Sequence, residues 1–392
     1  MLAHLIRLTW NKKKQNFLLM LEIFFSFIGL FAGITFILYP INNHKLPLGF
    51  EPENIWIVKF NSENEIKNID SLQFYRESVK KVLLSMNQVE DVSYSSPNIP
   101  FSGNSFNGPV IYNGNETWAN YYTVEDNFVK ILGMKLLEGR WFSGDDIVSK
   151  DKPVVITENL KDELFGDGDA LGKIIAPNAT DRMKIVGVLA SFKHESEAEI
   201  PPTGVFVRMD TSNMRNPISL IIKVKPGADA AFESRVYKTL SNTMQNADFE
   251  IEHLTDMRDS VNRRMLVPLI IFIIIASFLI INVALGIFGV LWYNIHKRKG
   301  EIGLRRAVGA TGNAISIQLV GEALVLSTLS LILGLFFAIQ LPLLGVLQLP
   351  PENYIQAIII SVLFIYVLVF LCALYPGKQA ARIYPATALH ED

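Results

Sequence analysis

Apolar residues along this chain follow two patterns. In some stretches they recur at every second position or at helical spacing, and in four they run on almost unbroken. A helix that crosses a bilayer needs ~20 mostly apolar residues at about 1.5 Å of rise each. The runs at 17–39, 265–292, 314–347 and 354–375 meet that length. They predict an α-helical membrane protein with four transmembrane helices. The third run is long enough to tilt, bend or break, and Gly334 and Pro342 are the places for it.

The long interval 40–262, between the first and second runs, has the other pattern and predicts a large mixed α/β domain. ENIWIVKF (53–60) alternates like a strand. SLQFYRESVKKVLLSM (71–86) sets Leu72, Tyr75, Val79, Val82 and Leu83 at helical spacing, and VEDVSYSS (89–96) again reads as a strand. The same order returns at the far end: a strand at 217–224, a helix at 228–244, a strand at 248–254. Two β-α-β flanks, about 50–96 and 217–255, predict one small subdomain built from both ends. A strand-rich insertion with turn signals fills about 97–216.

Charge orients the chain. The formal net charge is −2 and 19% of residues are charged, which gives no push toward nucleic acid. Basic residues gather before the first run (Arg7, Lys12, Lys13, Lys14), between the second and third (Lys297 to Arg306), and after the fourth (Lys378, Arg382). The loop LPPEN (349–353) has none. By the positive-inside rule the segment 1–16, the loop 293–313 and the tail 376–392 are cytoplasmic, and 40–262 lies outside. Arg258, Arg263 and Arg264 run against the rule locally. The first run reads as a retained anchor, because it exceeds a signal-peptide core and no A-x-A-like site follows Tyr39. The one cysteine, Cys372, falls in the fourth run, so the outer domain has no disulfide and stands on its own core.

Catalytic chemistry is not visible. There is no G-x-S-x-G and no H-E-x-x-H, and the six histidines fall in different segments, which gives no metal site. GDGDALGKI (166–174) approaches a phosphate loop. It has the wrong glycine spacing, and Ile174 stands where a hydroxyl would hold magnesium. The expectation is a chain without catalytic residues, metal or cofactor. Glu22 and Glu322 sit near the cytoplasmic ends of their runs, where a carboxyl reaches the interface or pairs with a basic residue. Ser277, Gly286 and Gly289 in the second run, and Gly321, Ser330, Gly334 and Ala338 in the third, leave flat patches where helices approach closely.

The most informative segment is KRKGEIGLRRAVGAT (297–311). Glu301 and Arg305 stand at i, i+4, and Ile302, Leu304, Ala307 and Val308 alternate with the basic residues. The pattern predicts a short surface helix that offers a shaped face to a partner. The stretch resembles the cytoplasmic loop signature of the FtsX/MacB-type ABC permeases, a basic cluster leading into E-I-G-x-R-x-A-x-G-A. The N-terminal IRLTWNKKKQNF resembles that family's basic first segment. Stretches 123–142, 158–175 and 184–196 resemble its periplasmic core domain, and PGKQAARIYPATALHED resembles its tail.

The resemblance covers nearly the whole chain, and it implies a function. The chain would be a permease subunit in a bacterial inner membrane, with both termini cytoplasmic and the large domain periplasmic. A separate ABC ATPase dimer would bind the ATP and magnesium, and a second permease subunit, like or unlike, would complete the unit. ATPase motion would pass to the periplasmic domain by mechanotransmission, for export or extrusion of a substrate. The ATPase-coupling residues implied are Lys297, Arg298, Lys299, Glu301, Ile302, Gly303, Arg305, Arg306 and Gly309, and those for helix packing are Gly286, Gly289 and Gly334. Periplasmic or outer-membrane proteins and membrane lipids are further expected partners. Two other functions stay open: an ATPase-driven regulator of a periplasmic cell-wall hydrolase, and a membrane receptor or scaffold.

Overall fold

The computed structural model describes residues 13–382 except 63–65, 67, 145, 147–150, 179–180, 214–217, 245–246 and 346–348. Residues 1–12 and 383–392, which hold most of the N-terminal basic segment and of the tail, lie outside the described residues. The chain divides into two compact units, Asn42–Met265 and a second made of Met1–Ile41 with Leu266–Asp392.

The first unit holds one eleven-stranded sheet. Its flanks are β1 (Ile55–Ser62), helix α2 (Ile69–Leu84) and β2 (Val89–Ser95), then β10 (Ser219–Val224), helix α5 (Ala230–Thr243) and β11 (Asp248–His253). These four strands lie side by side in the order β11-β1-β10-β2, all antiparallel, with Ile57 opposite Ile221 on one side and Glu252 on the other. Strand side chains alternate between faces. Trp56, Val58, Val92, Leu220 and Ile222 therefore form one core with Val79 and Leu83 of α2 and Phe232, Val236 and Leu240 of α5. Ile55, Ile57 and Ile221 point to the opposite face, into a core with Tyr122, Phe192 and Phe206. Asn68 caps α2 by accepting from Ser71 N, and Asp229 caps α5 by accepting from Phe232 N.

The insertion contributes β3 (Asn107–Tyr112), β4 (Asn115–Val124), α3 (Phe128–Ile131), β5 (Leu136–Gly139), β6 (Lys152–Thr157), α4 (Glu158–Phe165), β7 (Ile174–Ile175), β8 (Met183–Leu189) and β9 (Gly204–Arg208). Its strands extend the same sheet as β4-β9-β6-β8-β5, with β4–β9 and β6–β8 parallel. They meet the flank strands through one residue pair, Ser95 opposite Val124. The reading of a separate subdomain with an insertion is thus modified: both parts share one sheet, because β2 leaves an edge that β4 takes up. The β3–β4 hairpin turns at Asn113 (φ 49) and Gly114 (φ 83), the two positive-φ positions of a two-residue hairpin loop.

The second unit holds four helices long and apolar enough to cross a membrane: α1 (Lys13–His44), α6 (Leu254–Lys297), α8 (Gly312–Leu343) and α9 (Pro351–Ala381), of which α1 and α6 begin or end in the first unit. Between α6 and α8 lies the short helix α7 (Lys299–Ala307). Of the tilt, bend or break that the third run could take, the break does not occur. α8 is one helix through Gly334, with Pro342 in its last turn, and the chain turns just beyond at Gly345 (φ 62). Phe27, Phe31 and Ile23 of α1 pack with Leu326 and Leu331 of α8 and Ala357 and Ile365 of α9. Gly334 makes room for Phe27, whose ring carbon lies 2.5 Å from where a Cβ would stand. Gly286 makes room for the carboxylate of Glu22, whereas Gly289 faces open space.

Candidate functional site: the α7 segment and the ends of α1 and α6

α7 is short for an isolated helix, and a helix of its length needs tertiary contacts to persist. The sequence supplies them on one face. Ile302 is buried and clusters with Ile295 of α6, Ile315 and Leu319 of α8, and Ala380 of α9. Gly303 beside it is buried too. Gly309 (φ 104) reverses the chain after α7, and Thr311 then caps α8 by accepting from Ala314 N.

A charged network fastens the same face. Arg298 donates to Glu301 (2.9 Å) and to Glu322 of α8 (3.2 Å). Arg305 donates to Glu301 (2.5 Å) and to Gln318 (2.9 Å), and Gln318 donates to Glu322 (3.0 Å). The hydrogen bond to Glu301, with the nearby charge of Glu322, raises the Arg298 pKa above its usual value and keeps the guanidinium charged. Arg306 donates to the carbonyl oxygen of Ala381 at the end of α9. α7 is therefore held by all three helices whose ends meet there.

The coupling residues named from sequence divide accordingly. Ile302 and Gly303 face inward, and Arg298, Glu301, Arg305 and Arg306 have bonds within the chain. Lys297 is exposed, with its ammonium 6.0 Å from the Tyr293 ring centre, and Lys299 is half-buried. Leu304 (56% exposed) and Val308 (82% exposed) face outward, one turn apart. Neither was named as a site residue. The signal for them was their i, i+4 spacing opposite Ile302, which the surrounding charges obscured. Glu322 finds the basic partner expected of it, while Glu22 has no ion pair among the described residues.

At the far ends of α1 and α6 the segment 193–199 forms a second junction, inside the first unit. Lys193 is buried, and its ammonium donates to the carbonyl oxygens of Asn43 (2.7 Å) and Glu197 (2.5 Å). Asn43 returns a bond from its side chain to Ala198 O (3.0 Å). The Glu197 carboxylate pairs with Arg258 in the first turns of α6 and lies 3.1 Å from His44 Nδ1. Burial lowers the Lys193 pKa, against the pull of Glu197 and Glu199, and burial raises that of Glu199, whose carboxylate accepts from the backbone of His194 and Glu195.

This arrangement, four apolar helices with a mixed α/β domain between the first two and a held helix between the second and third, matches known families. The MacB-like periplasmic core domain matches residues 28–237, and the FtsX-like permease C-terminal region matches residues 271–385. The chain belongs to this permease family. It is 26% identical over 309 residues to the uncharacterized ABC transporter permease YvrN of Bacillus subtilis, covering 72% of this chain and 73% of that one. It is 24% identical over 298 residues to the macrolide export ATP-binding/permease protein MacB of Neisseria gonorrhoeae, covering 74% of this chain. The chain spans 46% of the length of that MacB. The periplasmic region of MacB from Actinobacillus actinomycetemcomitans aligns with a TM-score of 0.40 at 17% identity, over 55% of this chain and 94% of that structure. The FtsX-like, MacB-like permease described here is thus a multi-pass membrane protein with a periplasmic domain, and a permease subunit of an ABC system.

Proposed function

We propose that this permease passes the motion of a separate cytoplasmic ABC ATPase to its periplasmic domain, and that this mechanotransmission drives export or extrusion of a substrate. In this reading ATP and magnesium stay with the ATPase dimer, a second permease subunit completes the assembly, and periplasmic or outer-membrane proteins take part on the far side. Both termini and α7 then lie on the cytoplasmic side of the inner membrane, in keeping with the Lys and Arg distribution.

The observation that carries the proposal is the two-sidedness of α7. One face is held by α6, α8 and α9, and the other presents Leu304 and Val308. ATP biases a permease only through contacts that differ between ATPase states. A push on Leu304 and Val308 reaches the ends of three helices together. At the other end of α6, the segment 193–199 that follows β8 bonds both Arg258 of α6 and Asn43 of α1.

The test is co-purification of the ATPase with the full chain from native membranes. Leu304→Asp with Val308→Asp is expected to abolish co-purification while leaving the permease folded. If the variant retains the ATPase, or if no ATPase appears with the wild type even after crosslinking, the proposal is overturned.

A further inference from the structure

The ends of α6 and α9 on the α7 side carry a surface that the coupling role leaves unexplained. On α6, Phe288, Trp292 and His296 follow one another at single-turn spacing as a continuous stack. The ring centres are 5.8 Å apart for Phe288 and Trp292, and 4.7 Å apart for Trp292 and His296. On α9, Tyr375 meets that stack at Phe288, with ring centres 5.9 Å apart. Both helices run the same way, so from this contact the two stripes advance together toward the membrane surface. The aromatic part stays open, with Phe288 38%, Trp292 38% and Tyr375 58% exposed.

Beyond the rings this surface is cationic. Lys378 and Arg382 follow Tyr375 by one and two turns of α9, and both are exposed. Neither has an acidic partner among the described residues. Of the carboxylates in the helical unit, Glu301 is held by Arg298 and Arg305 and Glu322 by Arg298, while Glu22 packs against α6 at Gly286, two residues and so about half a turn round the helix from Phe288. The sequence places no Asp or Glu in 265–297 or in 353–382. His296 donates Nδ1–H to the carbonyl of Trp292 (2.9 Å), which leaves Nε2 as an acceptor on the other side of the ring. Tyr375 accepts from Gln379 (3.1 Å) and so keeps its hydroxyl hydrogen for another acceptor.

Aromatic rings below unpaired cations and two further hydrogen-bonding groups match one occupant of a bilayer. The rings suit the upper part of an acyl chain at the depth where Trp and Tyr prefer to lie. The cations and the phenol O–H suit a phosphate, and the His296 Nε2 suits a headgroup hydroxyl, which it accepts from. We propose that the surface shared by the ends of α6 and α9 binds an anionic phospholipid, with its phosphate at Lys378 and Arg382, a headgroup hydroxyl at His296 and its acyl chain along Phe288, Trp292 and Tyr375. The site lies beside α7, because Arg306 bonds Ala381, one residue before Arg382. A bound lipid would therefore stiffen the end of α9 that α7 leans on.

The test uses the full chain carrying Trp10→Phe, in nanodiscs of phosphatidylcholine, with the Trp292→Phe variant subtracted to isolate Trp292 fluorescence. Brominated phosphatidylglycerol is expected to quench Trp292 at a membrane fraction where brominated phosphatidylcholine does not. Lys378→Gln and Arg382→Gln are each expected to weaken that preference about fivefold, the equivalent of ~1 kcal/mol per basic residue. Both are surface changes, and an unchanged melting temperature shows that the fold survives. Added inorganic phosphate should leave the quenching intact if the site takes a lipid, and should abolish it if the site takes the free ion, which overturns the proposal. Equal quenching by both lipids overturns it too, as does a preference that survives the double variant. Absence of quenching by either lipid means that protein covers the surface, and is a third overturning result.

Discussion

The ammonium of Lys193 donates to the carbonyl oxygen of Asn43, 2.7 Å away across 150 residues of sequence. Asn43 lies in the last turn of α1, where carbonyls have no intrahelical partner. Lysine is the residue that supplies three donors from a single point, and it spends one here and a second on Glu197.

Replacing Lys193 with Met removes the ammonium donor from both carbonyls, and Asn43 O keeps only its bond from Leu46 N (2.9 Å). The expected loss is about 1–3 kcal/mol, read as a lower melting temperature of the purified full chain. The pH response is distinctive. Burial lowers the Lys193 pKa below the ordinary lysine value of 10.5, so the unfolded chain holds this proton more tightly than the fold does. Stability from this group therefore rises as pH climbs toward 10.5. The variant should lack that rise, and an identical alkaline profile in wild type and variant would exclude the assignment.

Asp146 should reveal itself in acid. It is buried and accepts from both Arg140 nitrogens (2.8 and 2.6 Å) and from Ser143 N (2.9 Å), and the Arg140 bonds hold its pKa below 3.8. A depressed carboxylate pKa stabilises fully above the unfolded value and loses that contribution as pH falls below it. Asp146→Asn is expected to cost about 1–2 kcal/mol at neutral pH, discounted because Arg140 is half exposed. In denaturant titrations the gap from wild type should close below about pH 3.8. A gap that persists there would point to packing rather than charge.

Three glycines in the apolar helices should respond differently to a side chain. Gly334→Leu drives into Phe27 and is expected to destabilise by about 1–3 kcal/mol. Gly286→Leu meets the Glu22 carboxylate and should behave similarly. Gly289→Ala enters open space and should change stability by less than about 0.5 kcal/mol. Thermal scans of the detergent-solubilised variants rank them, and an equal response at all three positions would contradict the packing described.

Arg298 offers a way to separate docking from transmission. Its side chain is 13% exposed and bridges Glu301 and Glu322 (15% exposed), so Arg298→Gln should loosen α7 from α8 without altering Leu304 or Val308. The ATPase should still co-purify, while turnover by the reconstituted complex drops about fivefold or more, the range of a modest coupling energy. Loss of the ATPase itself would instead place Arg298 in the docking face.

The four apolar helices and the β-α-β flanks were legible because period and length alone decide them. The flank strands and helices fall within a few residues of the sequence reading. α1 runs to His44 and α6 starts at Leu254, well beyond the apolar runs, because their polar turns are fixed by Lys193 and Glu197, distant in sequence. The direction of α7 was not legible. Basic residues at one membrane face suggest outward contacts, yet Arg298 and Arg305 turn inward, because Glu322 and Gln318 await them one helix away. No local pattern announces a partner on another helix. The β3–β4 hairpin, by contrast, was announced by Asn113-Gly114 and went unread among the insertion's other turn signals.

The single pair Ser95–Val124 joins two sets of strands that elsewhere run in register over several residues. Bending the sheet along any other seam breaks several rungs together. Bending it here strains that rung and the backbone bonds beside it, Ser96 N to Thr123 O (2.7 Å) and Glu125 N to Tyr94 O (3.3 Å), while the other links, Tyr94 N to the Glu125 carboxylate (2.8 Å) and the Asn127 side chain to Val92 O (2.8 Å), involve side chains that swivel with the backbone. The shortest strand ladder among the described residues of the periplasmic domain therefore runs between its two blocks of strands. A force delivered at the base of one block reaches the other as rotation about that seam before it reaches it as translation.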